Sequence, residues 1–140
     1  MSDTSTHEEL IAAMATVFDL MDAATIAAWD GLTGLQIQLL RVVATDMRID
    51  RQSLSVWTRT SRAALVPSLA ALLQRQILAE QVDVEGAHLV VGTSGRELLE
   101  RVLRARTGWI RGACAAAQPP VAEADLRHAI VTLRRVADGA

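Results

Sequence analysis

Between Leu54 and Val91 the chain reads LSVWTRTSRAALVPSLAALLQRQILAEQVDVEGAHLVV, and its punctuation sorts it into four pieces. Arg51 to Trp57 is a short helix with Leu54 and Trp57 turned inward. Thr58-Arg59-Thr60 is a tight turn, and Thr60 or Ser61 can cap the helix that follows. Within that helix Leu65, Leu69, Leu72, Leu73 and Ile77 recur at helical spacing and should pack inward. Val82 to Glu85 and Ala87 to Val91 are β-branched stretches flanking an Asp-x-Glu-Gly tip, the pattern of a two-stranded hairpin. Pro67 falls six residues after Ser61, and proline inside a helix costs roughly 3 kcal/mol through a lost hydrogen bond and a crowded preceding turn. A small kink or an irregular first turn is expected there.

Helix, turn, helix and hairpin together outline a winged helix-turn-helix lobe. Working upstream, Thr33-Gly34-Leu35-Gln36 is a capping box, in which threonine and glutamine side chains satisfy free amides at a helix start. It predicts a helix from Gly34 to Thr45 that buries Leu35, Leu39, Leu40, Val42 and Val43, followed by a polar connector from Asp46 to Asp50. Further back, Ser5 to Glu8 and Thr6 to Glu9 fit the same box and predict a helix from Thr6 to Trp29. Leu10, Met14, Val17, Met21 and Ala24 form its apolar stripe. Downstream, Ser94-Gly95-Arg96-Glu97 predicts a cap for a long helix carrying Leu98, Leu99, Val102, Leu103, Trp109, Ile110 and Ala113 on one side. Pro119-Pro120 forces a bend, and Val121 to Ala137 forms a last helix with Leu126, Ile130 and Leu133 in register.

A chain of 140 residues and 15.1 kDa, 51% hydrophobic, is one domain with ample core material. Aromatic residues make up only 3% of it, so the core must be aliphatic and helix-favouring. No run reads as the 18 or so uncharged apolar residues of a membrane span, and the N-terminus does not read as a signal peptide, so a cytoplasmic protein is expected. The single cysteine, Cys114, suits a reducing compartment and is expected to be inert. His7, His88 and His128 are scattered, and no Gly-rich phosphate loop, paired-carboxylate motif or metal-ligand spacing is present. No catalytic residue, metal or cofactor is expected.

Net charge is −2, but the distribution is uneven. All 14 basic residues are arginine. From Met47 to Ala79, Arg48, Arg51, Arg59, Arg62 and Arg75 face Asp50 alone, a net +4, whereas Met1 to Asp46 carries a net −6. A basic island in an acidic protein is what local phosphate binding needs; solvated helix-surface arginine is the other reading.

The order of these pieces resembles the MarR family of bacterial transcription regulators over nearly the whole chain. Leu32-Thr33-Gly34-Leu35-Gln36 with Leu39 and Leu40 is similar to the family's Leu-Thr-x-x-Gln opening of its second helix. Leu54-Ser55, Ser61 to Leu69 and Leu72 to Leu78 follow its helix-turn-helix pattern, which tolerates proline at Pro67. Val91 to Arg96 is similar to its Leu-Thr-x-x-Gly-Arg. Three positions depart. Gln76 stands where the family usually has glycine, and Gly92 where it usually has threonine. The wing tip, Asp83-Val84-Glu85-Gly86-Ala87-His88, lacks the family's minor-groove arginine.

The resemblance implies a single domain over 1–140, mainly α with a small β-hairpin wing. Residues 6–29 and 94–138 would be dimerisation helices, and 33–92 the winged lobe with its wing at 80–91. It implies a homodimer that presents its fourth helices to successive major grooves about 34 Å apart. Such a dimer would bind double-stranded DNA at a palindromic operator, as a repressor. Arg62 would read bases, and Arg59, Thr60, Ser61 and Ser68 would bond phosphates. Ala64 would face the groove, Arg48, Arg51 and Arg75 could add backbone contacts, and His88 is a further candidate. The acidic tip would weaken binding and flatten its salt dependence, or abolish wing contact. A small-molecule effector could enter a crevice lined by His7, Met14, Phe18, Trp29 and Trp57, although core filling is the alternative role of the apolar members. The rival reading is a dimer of this fold that has lost DNA binding and serves as a ligand- or protein-binding module.

Overall fold

The computed structural model describes residues 2–45 and 47–140; Asp46, at the start of the expected connector, lies outside the described residues. Helix α1 spans Ser2–Thr25 and continues into a 3-10 turn, Ile26–Trp29. Helices α2 (Gly34–Val43), α3 (Arg51–Thr58) and α4 (Arg62–Gln74) follow, then strands β1 (Leu78–Asp83) and β2 (Gly86–Val91), then α5 (Thr93–Ala116) and α6 (Glu123–Gly139). The order of elements matches the expected one, and several boundaries do not.

Helix α2 starts as its sequence dictates. The Gln36 amide donates to Thr33 Oγ1 at 3.2 Å and the Thr33 amide donates to Gln36 Oε1 at 2.9 Å, closing the capping box. Helix α3 is capped by Asp50, whose carboxylate accepts from the Ser53 amide at 2.7 Å. Helix α4 is capped by Ser61, whose Oγ accepts from the Ala64 amide at 3.2 Å. Helix α4 runs through Pro67 without a break. The bond that proline forfeits would have served Ala63, an exposed residue whose carbonyl water can reach.

The other expected boxes do not form. Helix α1 is already running at Ser5, whose hydroxyl meets Glu9 one turn on at 3.4 Å. Helix α5 begins at Thr93 after Gly92, with no side-chain cap, so Ser94 lies inside it. Helix α6 starts two residues later than expected, at Glu123, where Asp125 accepts from the Ala122 amide at 3.3 Å. The first strand also starts earlier than Val82, at Leu78; Leu78 pairs with Val91 and Asp83 with Gly86, leaving Val84 and Glu85 as the turn.

One core joins the lobe. Leu39 and Leu40 of α2, Leu54 of α3, Leu65, Leu69 and Leu72 of α4, and Ile77, Leu78 and Leu89 of the hairpin are all buried. Leu98 and Val102 of α5 and Trp29 close it from the other side. Leu35, Val42 and Leu73 are only partly buried against it. The connector expected to be polar contributes Ile49, which is fully buried; its carbonyl accepts from the Leu89 amide at 2.7 Å, a single antiparallel bridge onto the hairpin. Trp57 reverses its expected orientation and is 54% exposed. In a helix of eight residues a single inward stripe suffices, and Leu54 with Thr58 one turn on takes it.

Outside the lobe the apolar faces stay open. Leu10, Ile11, Phe18 and Leu20 of α1 are exposed, as are Ile130, Leu133 and Val136 of α6, and no residue of α6 is buried. By length and composition Ser5–Trp29 is apolar enough to cross a membrane, contrary to the sequence reading, which found no such run. Its composition equally suits a helix that packs against others.

Candidate nucleic-acid interface

The turn between α3 and α4 is fixed by backbone bonds. Arg59 adopts the left-handed conformation at φ 51°. Its amide donates to the Val56 carbonyl at 3.3 Å, and the Thr60 amide reaches the Ser55 carbonyl at 3.2 Å. This paired pattern closes a helix end that usually carries glycine. It aims α4 outward, with Arg59, Ser61, Arg62, Ala63 and Ala64 exposed at its start.

Hydroxyl groups assigned to phosphate are partly occupied. Ser61 Oγ holds the Ala64 amide, and the half-buried Thr60 hydroxyl donates to the Thr58 carbonyl at 3.1 Å. Ser68 is half-buried on α4, two turns on from Ser61. Arg62 and His88 are brought together. Both line a polar depression of about 260 Å³ between α3, α4 and the hairpin, with Asp50, Arg51, Gln52 and Glu80. His88 Nδ1 is buried without a hydrogen-bond partner among the described residues and lies 3.8 Å from Asp83. Arg75 sits elsewhere. It closes the far end of α4, about 20 Å from Arg62 at 1.5 Å per residue, and pairs with Asp30 at 3.1 Å.

The basic island divides accordingly. Arg48 forks onto Asp83, with Nη1 to Oδ2 at 2.6 Å and Nη2 to Oδ1 at 2.9 Å, and it also reaches the Gly86 carbonyl at 3.1 Å. Glu85 lies 3.5 Å from the same guanidinium. Arg51 pairs with Glu80 at 2.9 Å. Of the five arginines, Arg59 and Arg62 alone make no ion pair among the described residues. The Asp83 carboxyl is pulled down to about 2, chiefly by the Arg48 hydrogen bonds and then by the Glu85 amide, which donates to it at 2.9 Å. Asp83 in turn raises the Arg48 guanidinium, and the Ser53 cap bond lowers Asp50. Sequence reading missed the Arg48 and Arg51 clamps. Their partners lie 35 and 29 residues away, and only the hairpin register brings them near.

The expected effector residues do not form one cavity within the chain. Trp29 is buried in the core beneath two guanidinium groups, Arg41 at 5.2 Å and Arg106 at 5.9 Å from its ring centre. Arg106 also pairs with Asp22 at 2.5 Å. Trp57 instead borders a mainly apolar cavity of about 310 Å³ with Ile37, Arg41, Val42, Met47 and Ile49. His7 and Phe18 are exposed on α1, and Met14 is half-buried there. Cys114 is partly exposed in a larger apolar groove between α5 and α6. Among the described residues no group of three or more His, Cys, Asp or Glu could hold a metal.

No protein-family model matches the sequence, and no curated protein matches it. Solved structures do. A transcriptional regulator from Thermotoga maritima superposes at a TM-score of 0.76 with 14% identity, over 94% of this chain and 93% of that one. The multiple antibiotic-resistance repressor MarR of Listeria monocytogenes superposes at 0.70 with 14% identity, over 97% and 94%. Staphylococcus aureus MarR, solved in complex with salicylate and kanamycin, superposes at 0.66 with 14% identity, over 96% and 91%. The fold is MarR-like: six helices and a two-stranded wing in the same arrangement from end to end.

Proposed function

We propose that the protein is a non-catalytic, sequence-specific DNA-binding regulator of transcription, acting in the cytoplasm as a homodimeric repressor on a palindromic operator. The observation that carries this reading is the start of α4. Its first residues are exposed, and it and the turn before it bear Arg62 and Arg59, the two arginines of the basic island without an ion pair among the described residues. Arg62 is the base reader, because a guanidinium can bond both major-groove acceptors of guanine at once. Arg59, Thr60, Ser61 and Ser68 bond phosphates, Ala64 faces the groove, and His88 and Arg75 lie behind and beyond this surface.

The exposed apolar stripes of α1 and α6 support the dimer, since patches of that size commonly mark interfaces. The cavity beside Trp57, with Arg41 as its single cation, suits a small aromatic anion, and the salicylate bound to the S. aureus neighbour is of that class. His7, Met14 and Phe18 could join such a site only from a second copy or by closure of α1.

Selection of fragments from sheared genomic DNA at low salt, followed by gel shift, tests the reading. A retained fragment with a palindromic core, lost on Arg62→Ala, supports it; a folded dimer that retains no DNA at micromolar concentration refutes it. The alternative, a module of this fold without DNA binding, is favoured by Glu80, Asp83 and Glu85 on a wing that carries no arginine.

A further inference from the structure

The acid-tipped wing is the feature that the regulator reading leaves unexplained. Arg62 at the start of α4 and His88 of the hairpin line one depression, so DNA held at α4 would bring its phosphates near the wing, where an unpaired carboxylate repels them. Yet the Asp83 carboxylate is not available. Both of its oxygens are filled by the Arg48 guanidinium at 2.6 and 2.9 Å, in the planar two-point geometry by which arginine also holds phosphate. Arg48 comes from the connector before α3, 35 residues earlier, and the Gly86 carbonyl fixes it a third time. The neighbouring Ile49–Leu89 backbone bond, 2.7 Å, ties that connector to the hairpin, so the pair sits on a fixed base.

We propose that Arg48 and Asp83 form an internal charge mask at the wing, in which the carboxylate occupies the guanidinium donors that would otherwise bond a DNA phosphate. The mask cancels the charge of both, so the wing lies beside DNA without gripping it, and phosphate contact is left to Arg59 and Arg62. Arg48 is thus a latent phosphate-binding residue, held off by a side chain that stands in for phosphate. This inference rests on the DNA-binding reading.

The mask makes a prediction of opposite signs that a merely structural ion pair does not. With a mixed-sequence duplex of about 40 base pairs as probe, Asp83→Asn in a Glu85→Gln background, which leaves no second carboxylate at 3.5 Å to hold the guanidinium, releases Arg48 and tightens binding roughly threefold or more. It also steepens the dimer's log-affinity against log-salt slope by about 1.8, at 0.9 per freed cation. In the same background Arg48→Ala exposes Asp83 and weakens binding by a similar factor, and combining the two returns binding close to the Glu85→Gln parent. Weakening by both changes assigns the pair to wing stability and overturns the mask, as does an Asp83→Asn affinity and slope equal to the parent. If the wild type and every folded variant leave the duplex unshifted even at low salt, the DNA-binding reading fails and the mask with it.

Discussion

The backbone of Gly95 lies so close to Ile77 that a β-carbon on Gly95 would stand 2.1 Å from the Ile77 carbonyl oxygen. Gly92 approaches Gln76 equally closely, and its amide donates to the Ile77 carbonyl at 2.9 Å. The start of α5 is thereby seated on the end of α4, where the lobe joins the long helices. Gly95→Ala must push backbone against backbone, and a loss of about 3 kcal/mol is expected in urea denaturation, the upper range of overpacking. Gly108→Ala, in the same helix with nothing near its added methyl, serves as control and should gain up to about 1 kcal/mol. Equal effects at the two positions would contradict the close approach.

Gln76 holds a left-handed conformation at φ 58°, where side chains are strained. Its amide reaches the Leu73 carbonyl and that of Ile77 the Leu72 carbonyl, the pattern that closes a helix on glycine. Gln76→Gly should therefore stabilise the fold by about 1 kcal/mol. A lower denaturation midpoint for the variant would show that the glutamine side chain contributes more than its backbone strain removes.

The Asp83 carboxyl titrates at about 2 in the folded chain, against 3.8 for an unperturbed aspartate. Because the folded value is the lower, the clamp's contribution is complete above about pH 4 and is lost as pH falls through 2. Carbon-detected NMR of the Asp83 carboxyl should give that depressed midpoint, and Arg48→Ala should return it toward 3.8. A midpoint near 4 in the wild type would mean that the fork does not persist in solution.

Phe18 and Ile130, each about half exposed on α1 and α6, are expected to be covered in the dimer. A carboxylate placed in such an interface costs about 3 kcal/mol or more, which weakens association roughly 100-fold. Sedimentation of wild-type protein, Phe18→Asp and Ile130→Asp should show a dimer and two monomers, all with native helical content. A wild-type monomer at micromolar concentration would count against the proposed dimer.

Trp57 is the exposed one of the tryptophans and borders the cavity that Arg41 also lines. Salicylate titration should quench its emission, and Trp57→Phe should remove the response. Arg41→Gln should weaken binding about tenfold, the loss of one charge-assisted hydrogen bond. Quenching that survives Trp57→Phe would place the ligand elsewhere.

Much of this fold can be read from the sequence because its local signals are self-contained. Thr33 and Gln36 cap α2 within four residues, and the leucines of α4 repeat at a spacing that only a helix buries on one side. The same kind of signal misleads at Ser5 and Ser94, where a Ser-x-x-Glu match falls inside a helix that began earlier. Leu78 and Ala79 open β1, yet they continue the apolar spacing of α4; the left-handed turn at Gln76 ends the helix, and no glycine announces it. Arg62 is legible as a site residue from its place after the cap. Arg48 reads from the sequence only as a candidate backbone contact, because its pairing depends on a partner across the hairpin, and the orientation of Trp57 is not legible because eight residues are too few to define a face.

Whether the start of α4 reads DNA is decided by gel shift of the selected genomic fragment with wild-type protein and Arg62→Ala at matched salt. Wild-type protein should retain the fragment in preference to mixed-sequence DNA. Arg62→Ala should lose about 1 to 3 kcal/mol of that preference per half-site while remaining a folded dimer. A preference unchanged by Arg62→Ala, or a folded dimer without affinity for any fragment, would contradict DNA reading by α4.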